Sequence, residues 1–232
     1  MSLSQVAKER ISDLCENFEF YLKSFESEAS AHLSEGTAAV FRHEGHIRTT
    51  RMRGVLGSVR ELVASDEFIE SVWKTLDDWG MNKRRAKIIP IQEFKSQLRE
   101  SLELIVQWEK WSIADLNDPK RATLLRITLL YLMLSAGKSQ VVAGSKALHH
   151  FLHNLLPPID RRYTCTFFDV SGPDGPIQFR TIVEGFARIA QCIEEQHGKN
   201  YLSGLVGKTP WSTSETKLID NAVVGYVKKH NL

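Results

Sequence analysis

Apolar residues recur at steps of three and four along most of the chain, the spacing that places them on one side of an α-helix. The first clear case covers residues 4–33. The most regular case has apolar residues at Phe179, Ile182, Val183, Phe186, Ile189 and Ile193. No series of alternating apolar and polar residues, the pattern of a half-buried strand, is present. The sequence therefore predicts an all-α fold of about eight helices.

The most apolar stretch covers residues 122–136 and is interrupted by Arg126. It is too short and too interrupted to cross a bilayer core of about 30 Å, so we expect no membrane association. Asp118 followed by Pro119 is a strong start signal, because an aspartate caps a helix and proline fits its first position. We interpret the stretch as the buried central helix of one domain covering residues 1–232. A loop at residues 171–176 is the alternative boundary between two subdomains.

Residues 34–54 differ from the rest of the chain because apolar residues are sparse and cationic ones are concentrated. We predict a loop or a short helix with a cationic face. The formal net charge of the whole chain is only +2, so only a local basic cluster could favour a nucleic-acid partner. The candidate phosphate-binding arginines are Arg48, Arg51, Arg53, Arg161 and Arg162, with Arg42 beginning the first cluster.

The three cysteines are far apart in the sequence and have no zinc-like spacing. An odd number of separated cysteines argues against a disulfide framework and favours a reducing compartment. The first ten residues have no apolar segment typical of a secretory signal, so we expect a cytoplasmic protein. Nothing in the sequence indicates a cofactor, and the oligomeric state stays open.

The histidines offer two weak metal signals. His43 and His46 flank Glu44 and Gly45, but the second histidine comes one residue too early for the metalloprotease motif. His149 and His153 share one side of a predicted helix, with His150 beside them. Two histidines do not specify a metal. We predict no metal site, with one histidine packed in the core and the others at the surface.

The most informative segment covers residues 141–168. Gly144 is predicted to begin a helix, which would leave backbone N–H groups free to bind an anion near Ser145 and Lys146. A lysine beside a helix N-terminus and a desolvating wall can have a depressed pKa, which makes it a nucleophile. Asp160 follows a rigid Pro157-Pro158 pair and is expected to face the same cleft.

Gly144-Ser145-Lys146 followed by Pro158-Ile159-Asp160 resembles the core of the helix-hairpin-helix DNA glycosylases. The resemblance covers some thirty residues and implies an all-α fold, which agrees with the periodicity. It implies that backbone amides at Gly144 and Ser145 hold DNA phosphate. It also implies that Lys146 attacks the sugar and that Asp160 stabilises the cationic transition state. On this resemblance the chain is an active glycosylase or lyase, or a degenerate relative.

Two other interpretations stay open. In the first, Gly144 only begins a helix, Lys146 is solvated, and Asp160 caps a following helix over residues 161–168. In the second, the chain is a non-enzymatic helical module that binds another protein through an exposed apolar patch. A contact between Lys146 and Asp160 would favour an enzyme, and a lysine in open solvent would not.

Overall fold

The computed structural model describes the backbone of residues 3–34, 39–83, 87–137 and 139–232, and the side chains of these residues except 32–43 and 83. The α-helices are α1 (Gln5–Glu16), α2 (Phe18–Ser34), α3 (Ala39–Leu56), α4 (Val59–Ala64), α5 (Asp66–Asp78), α6 (Ile91–Glu100), α7 (Leu102–Val106), α8 (Pro119–Tyr131), α9 (Gln140–Phe151), α10 (Tyr163–Phe167), α11 (Pro176–His197), α12 (Tyr201–Leu205) and α13 (Glu215–Lys229). Within these ranges the only extended pairing is one isolated antiparallel bridge between Ile88 and Ser135. The predicted all-α class is confirmed.

The predicted number of helices was too low for two physical reasons. The periodic segment at residues 4–33 is interrupted at Asn17, where the side chain amide donates to the Asp13 carboxylate at 2.9 Å and ends α1. Helices α4, α7, α10 and α12 have six residues or fewer. A helix this short completes fewer than two turns, so its apolar period is not visible in the sequence.

Side-chain caps set several helix starts. Asp118 accepts a hydrogen bond from the Lys120 backbone N–H at 2.9 Å, and Pro119 occupies the first turn of α8, as predicted. The cap of α13 is Ser214, whose Oγ accepts from the Lys217 backbone N–H at 3.2 Å. Thus the first residue of α8 was predictable from its capping signal.

Helix α8 is not the buried central helix that its composition predicted. It ends at Tyr131, and only one side of it is buried. The opposite side exposes Leu124 at 56%, Ile127 at 53% and Tyr131 at 64%. The most enclosed helices are instead α9 and α13, in which nearly every residue is buried.

Helix α3 occupies a segment for which a loop or a short helix was predicted. Its inward side consists of His46, Thr49 and Arg53, which are 4%, 0% and 7% exposed. These residues follow each other at steps of three and four, so they share one side of the helix. The apolar pattern failed to reveal α3 because its buried side is polar.

One cluster of buried apolar side chains runs from Leu3 to Val227 and includes residues on both sides of the loop at 171–176. Within it, α2 and α13 approach very closely at Gly225. A Cβ atom added there would lie 2.1 Å from the backbone oxygen of Tyr21. A backbone atom cannot rotate away, so this glycine is required by the packing of the two helices.

We expect Gly225→Ala to lower the free energy of unfolding by about 1–3 kcal/mol, because the methyl group must separate α2 from α13. Gly54→Ala is the matched control, since Gly54 also lies in a helix but its added Cβ meets nothing within 4 Å. There, alanine should raise stability by up to about 1 kcal/mol. Urea unfolding of both variants measures the difference, and equal effects would contradict the close approach.

Candidate functional site

The structure brings Lys146 and Asp160 together. Lys146 lies in α9, and Asp160 lies in the segment that follows the two prolines and precedes α10. The Lys146 Nζ atom is 3.2 Å from Asp160 Oδ2, and the two side chains are 12% and 26% exposed. The indole of Trp79 lies on another side of the ammonium, with Nζ 5.9 Å from the ring centroid. The lysine is therefore ion-paired and mostly enclosed.

Asp160 also organises the chain that follows it. Its Oδ1 atom accepts from the backbone N–H groups of Arg162 at 2.8 Å and Tyr163 at 3.3 Å. Its own N–H donates to Thr164 Oγ1 at 2.9 Å. Burial alone would raise the pKa of Asp160, but the Lys146 charge and the two backbone donors hold it below its ordinary value. Asp160 thus stays ionised at neutral pH and both orders the α10 turn and contacts Lys146.

The predicted glycine-initiated anion site is wrong in its geometry. Helix α9 begins at Gln140, so Gly144 is in its interior and its N–H is not a free end group. An added Cβ at Gly144 would lie 3.1 Å from Leu129 Cδ2, which explains the glycine by packing. Ser145 is fully buried, with its Oγ donating to the Val142 carbonyl oxygen and accepting from the Ile159 N–H. Lys146 is correspondingly not in the first turn.

The predicted phosphate-binding arginines do not all lie at the surface. Arg48 and Arg51 are exposed, and Arg48 Nε donates to Ser71 Oγ at 3.2 Å. Arg161 and Arg162 are exposed close to Asp160 in the chain. Arg161 forms an ion pair with Asp174, and the Arg162 guanidinium lies 5.2 Å from the Tyr163 ring centroid.

Arg53 is the exception and points inward. Only 7% of it is exposed, and its Nη2 donates to the Thr213 carbonyl oxygen at 3.0 Å. Burial lowers its pKa to about 10, so it remains cationic at neutral pH. The side chain of Arg42 lies outside the described residues.

Next to Arg53 lies a feature that the sequence interpretation missed. His46, His149 and His150 are all buried, and their ring centroids are 5.3 to 5.9 Å apart. Trp79 closes one side, 5.6 Å from His46 and 5.5 Å from His150. The prediction of a single core histidine was therefore wrong. We call His46, His149 and His150 the histidine cluster.

The hydrogen bonds of the histidine cluster are incomplete. His46 Nε2 bonds Thr213 Oγ1 at 2.8 Å, and His149 Nδ1 donates to the Leu156 carbonyl oxygen at 2.8 Å. Among the residues that the structure describes, four buried ring nitrogens have no hydrogen-bond partner: His46 Nδ1, His149 Nε2 and both nitrogens of His150. Buried polar atoms are normally satisfied by protein or water, so these nitrogens are available for further hydrogen bonds.

All three imidazoles are neutral at physiological pH. Burial lowers the pKa of His150 to about 3, with further repulsion from Arg53 and Lys217. Burial, together with the neighbouring histidines, holds the pKa of His46 well below its ordinary value. Burial and His150 do the same to His149. His153, two residues beyond the end of α9, has its pKa lowered to about 4 by burial and Arg53.

Two cation–carboxylate pairs border the histidine cluster. One is the Lys146–Asp160 pair. The other joins Lys217 Nζ to Asp220 Oδ2 at 2.6 Å within α13. Burial raises the pKa of Asp220 above its ordinary value, although Lys217 opposes this shift. Helices α3, α9 and α13 and the end of α5 thus meet at a water-poor, polar junction with Arg53 inside it.

Sequence alone carried one signal for this junction. The polar residues His46, Thr49 and Arg53 lie at helical spacing in a segment whose other positions give no apolar side. An inward polar side of a helix is therefore readable in principle. In the part of the chain that the structure describes, no group of three or more His, Cys, Asp or Glu residues has the arrangement of a metal site.

No protein family model, no curated protein and no solved structure matches this chain. None of the described helices is both long enough and apolar enough to cross a membrane. The site must therefore be interpreted from its own geometry.

The lowered histidine pKa values predict a pH dependence of stability. The unfolded chain binds protons near pH 6.5, whereas the folded chain resists them down to about pH 4 or below. Stability is thus complete above pH 6.5 and falls as the pH drops below it. The slope should reach about 1.4 kcal/mol per pH unit for each buried histidine.

Urea unfolding between pH 7 and about pH 5.5 measures this slope before most carboxylates titrate. His150→Leu should flatten the slope by about one histidine. An equal slope in the His150→Leu variant would contradict a neutral buried imidazole.

Proposed function

We propose that this chain acts on nucleic acid with glycosylase- or lyase-like chemistry, with Lys146 as the nucleophile and Asp160 as its electrostatic partner. The observation that supports the proposal is the 3.2 Å contact between Lys146 Nζ and Asp160 Oδ2 at the edge of a desolvated polar junction. A lysine held in open solvent would have removed this interpretation. Here the amine is positioned, and an ionised carboxylate lies beside it.

The chemistry that this pair can perform is Schiff-base formation. A lysine attacks the aldehyde carbon of an abasic sugar as a neutral amine, and loss of water leaves a protonated imine. The ammonium must first lose its proton to solvent. Asp160, which stays ionised within hydrogen-bond reach of Nζ, can then stabilise the cationic imine. The reaction needs no cofactor.

Nucleic acid would have to be held without a glycine hairpin, because Gly144 and Ser145 are buried. The exposed Arg48, Arg51, Arg161 and Arg162 are the candidate phosphate contacts. Arg162 is linked directly to the pair, since its backbone N–H donates to Asp160 Oδ1. The partner in this proposal is DNA, reached by a flipped nucleotide.

Borohydride trapping on DNA with an abasic site tests the proposal, because reduction converts a lysine imine into a stable covalent adduct. We expect the wild-type chain to form the adduct and Lys146→Ala to lose it. Lys217→Ala is the matched control, since Lys217 is also a largely buried lysine that is paired with an aspartate. The control should retain the adduct.

Binding must be measured separately from trapping. Salt-dependent DNA binding that survives Lys146→Ala, with no adduct in either protein, would indicate a degenerate relative that binds without catalysis. Absence of binding at low salt would contradict any nucleic-acid function. An adduct that persists in Lys146→Ala would assign the reaction to another amine.

A second function has its own observation in its favour. Leu124, Ile127 and Tyr131 are exposed at steps of three and four along α8, with Met133 60% exposed just beyond. A continuous apolar surface of this kind is typical of protein-binding sites. The chain would then be a helical interaction module.

We expect the interaction module to lose binding when this surface becomes charged. The simplest test is sedimentation of the wild-type chain and Ile127→Lys over a range of concentrations. Self-association that Ile127→Lys abolishes, without a change in thermal stability, would favour the module. A monomer at every concentration would contradict self-binding through α8.

The separated cysteines, none of which is in a disulfide in the described residues, agree with the proposed cytoplasmic location.

A further inference from the structure

We propose that the polar junction around Arg53 and the histidine cluster binds a small monocarboxylate that carries a hydroxyl group beside its carboxyl group. The proposal concerns residues other than the Lys146–Asp160 pair and does not depend on an action on nucleic acid. It is carried by three observations: an unbalanced buried charge, unpaired hydrogen-bonding atoms, and the way these atoms are distributed.

The first observation is the charge of Arg53. Lys217 and Lys146 each have their own carboxylate at 2.6 and 3.2 Å. Arg53 is as enclosed as they are, yet no described carboxylate lies within ion-pair distance of it. Among the described residues, its side chain donates to the neutral carbonyl oxygen of Thr213. A buried cation without an anion is strongly unfavourable, so a bound negative charge would stabilise the junction.

The second observation is the set of unpaired atoms. Arg53 Nη1 is buried and has no hydrogen-bond partner. His150 is 0% exposed, and neither of its nitrogens has a partner. His46 Nδ1 is unpaired in the same way. His46 and His150 are 5.3 Å apart between ring centroids. These groups can donate to the two oxygens of a bound anion.

The third observation narrows the chemistry of the ligand. His149 Nδ1 must carry the ring proton, because it donates to the Leu156 carbonyl oxygen. In a neutral imidazole the other nitrogen is then an acceptor. His149 Nε2 therefore needs a donor, and a carboxylate alone has none. A hydroxyl group on the same small molecule would supply it.

The size of the charge favours a carboxylate over a phosphate. Arg53 contributes one uncompensated positive charge, and the neighbouring imidazoles are neutral. A monoanion balances this charge, whereas a phosphate monoester near pH 7 carries almost two negative charges. Lys146 and Lys217, which border the junction, are 12% and 15% exposed, so the solvent lies close to it.

Isothermal titration of the full-length chain at pH 7.5 tests the proposal. The probes are glycolate, acetate, inorganic phosphate and sodium chloride at matched ionic strength. Glycolate should bind with a dissociation constant at or below about 1 mM. Acetate, which lacks the donor for His149, should bind roughly tenfold more weakly. The same ligands should raise the melting temperature in proportion to their affinity.

Arg53→Met removes the charge but keeps most of the side-chain length, and it should abolish the binding. Arg48→Met, on the exposed side of the same helix, should leave it unchanged. His150→Leu provides a second variant in case Arg53→Met does not fold, and it should weaken binding at least about tenfold. Binding of glycolate that both junction variants retain would overturn the proposal. Binding of phosphate alone, or of no probe, would overturn it as well.

Discussion

The exclusion of water from the junction of α3, α5, α9 and α13 is the constraint on which the rest of the structure depends. Once water is absent, each polar atom must find a partner within the protein or remain unsatisfied at a cost. Lys217 and Lys146 form ion pairs with carboxylates, and one nitrogen of His149 donates to a carbonyl oxygen. Arg53 and His150 keep polar atoms without a partner among the described residues. Buried titratable groups with strongly shifted pKa values, such as these histidines, cluster at functional sites.

Much of the fold followed from local rules that need no tertiary information. The start of α8 was predictable because Asp118 and Pro119 act within one turn of the chain. The all-α class was predictable because most helices have one apolar side. The inward side of α3 was not predictable from that rule, since its partners are Thr213 and the histidines of α9, far away in the chain. Burial of a polar helix side is decided by the partners that it meets.

The candidate site, like the fold, was predictable only where local sequence determines the structure. The rigid Pro157-Pro158 segment returned the chain toward α9, so the meeting of Lys146 and Asp160 could be anticipated. The prediction that Gly144 begins a helix was wrong, because a glycine fits a tight helix crossing as well as it fits a helix start. Leu129 on α8 determines which of the two applies. The histidine cluster escaped notice because the sequence separates His46 from His149 and gives no sign that α3 and α9 touch.

The contact between α2 and α13 has a consequence for the order of folding. Tyr21 bonds His230, 209 positions later, and Lys228 bonds Glu28, 200 positions earlier. The partner of the second helix is therefore synthesised long after the helix itself. During synthesis, the apolar side of α2 stays exposed to solvent until the residues near 225 have left the ribosome. We therefore expect α13 to dock late in folding, and the uncovered side of α2 to be open to aggregation until it does.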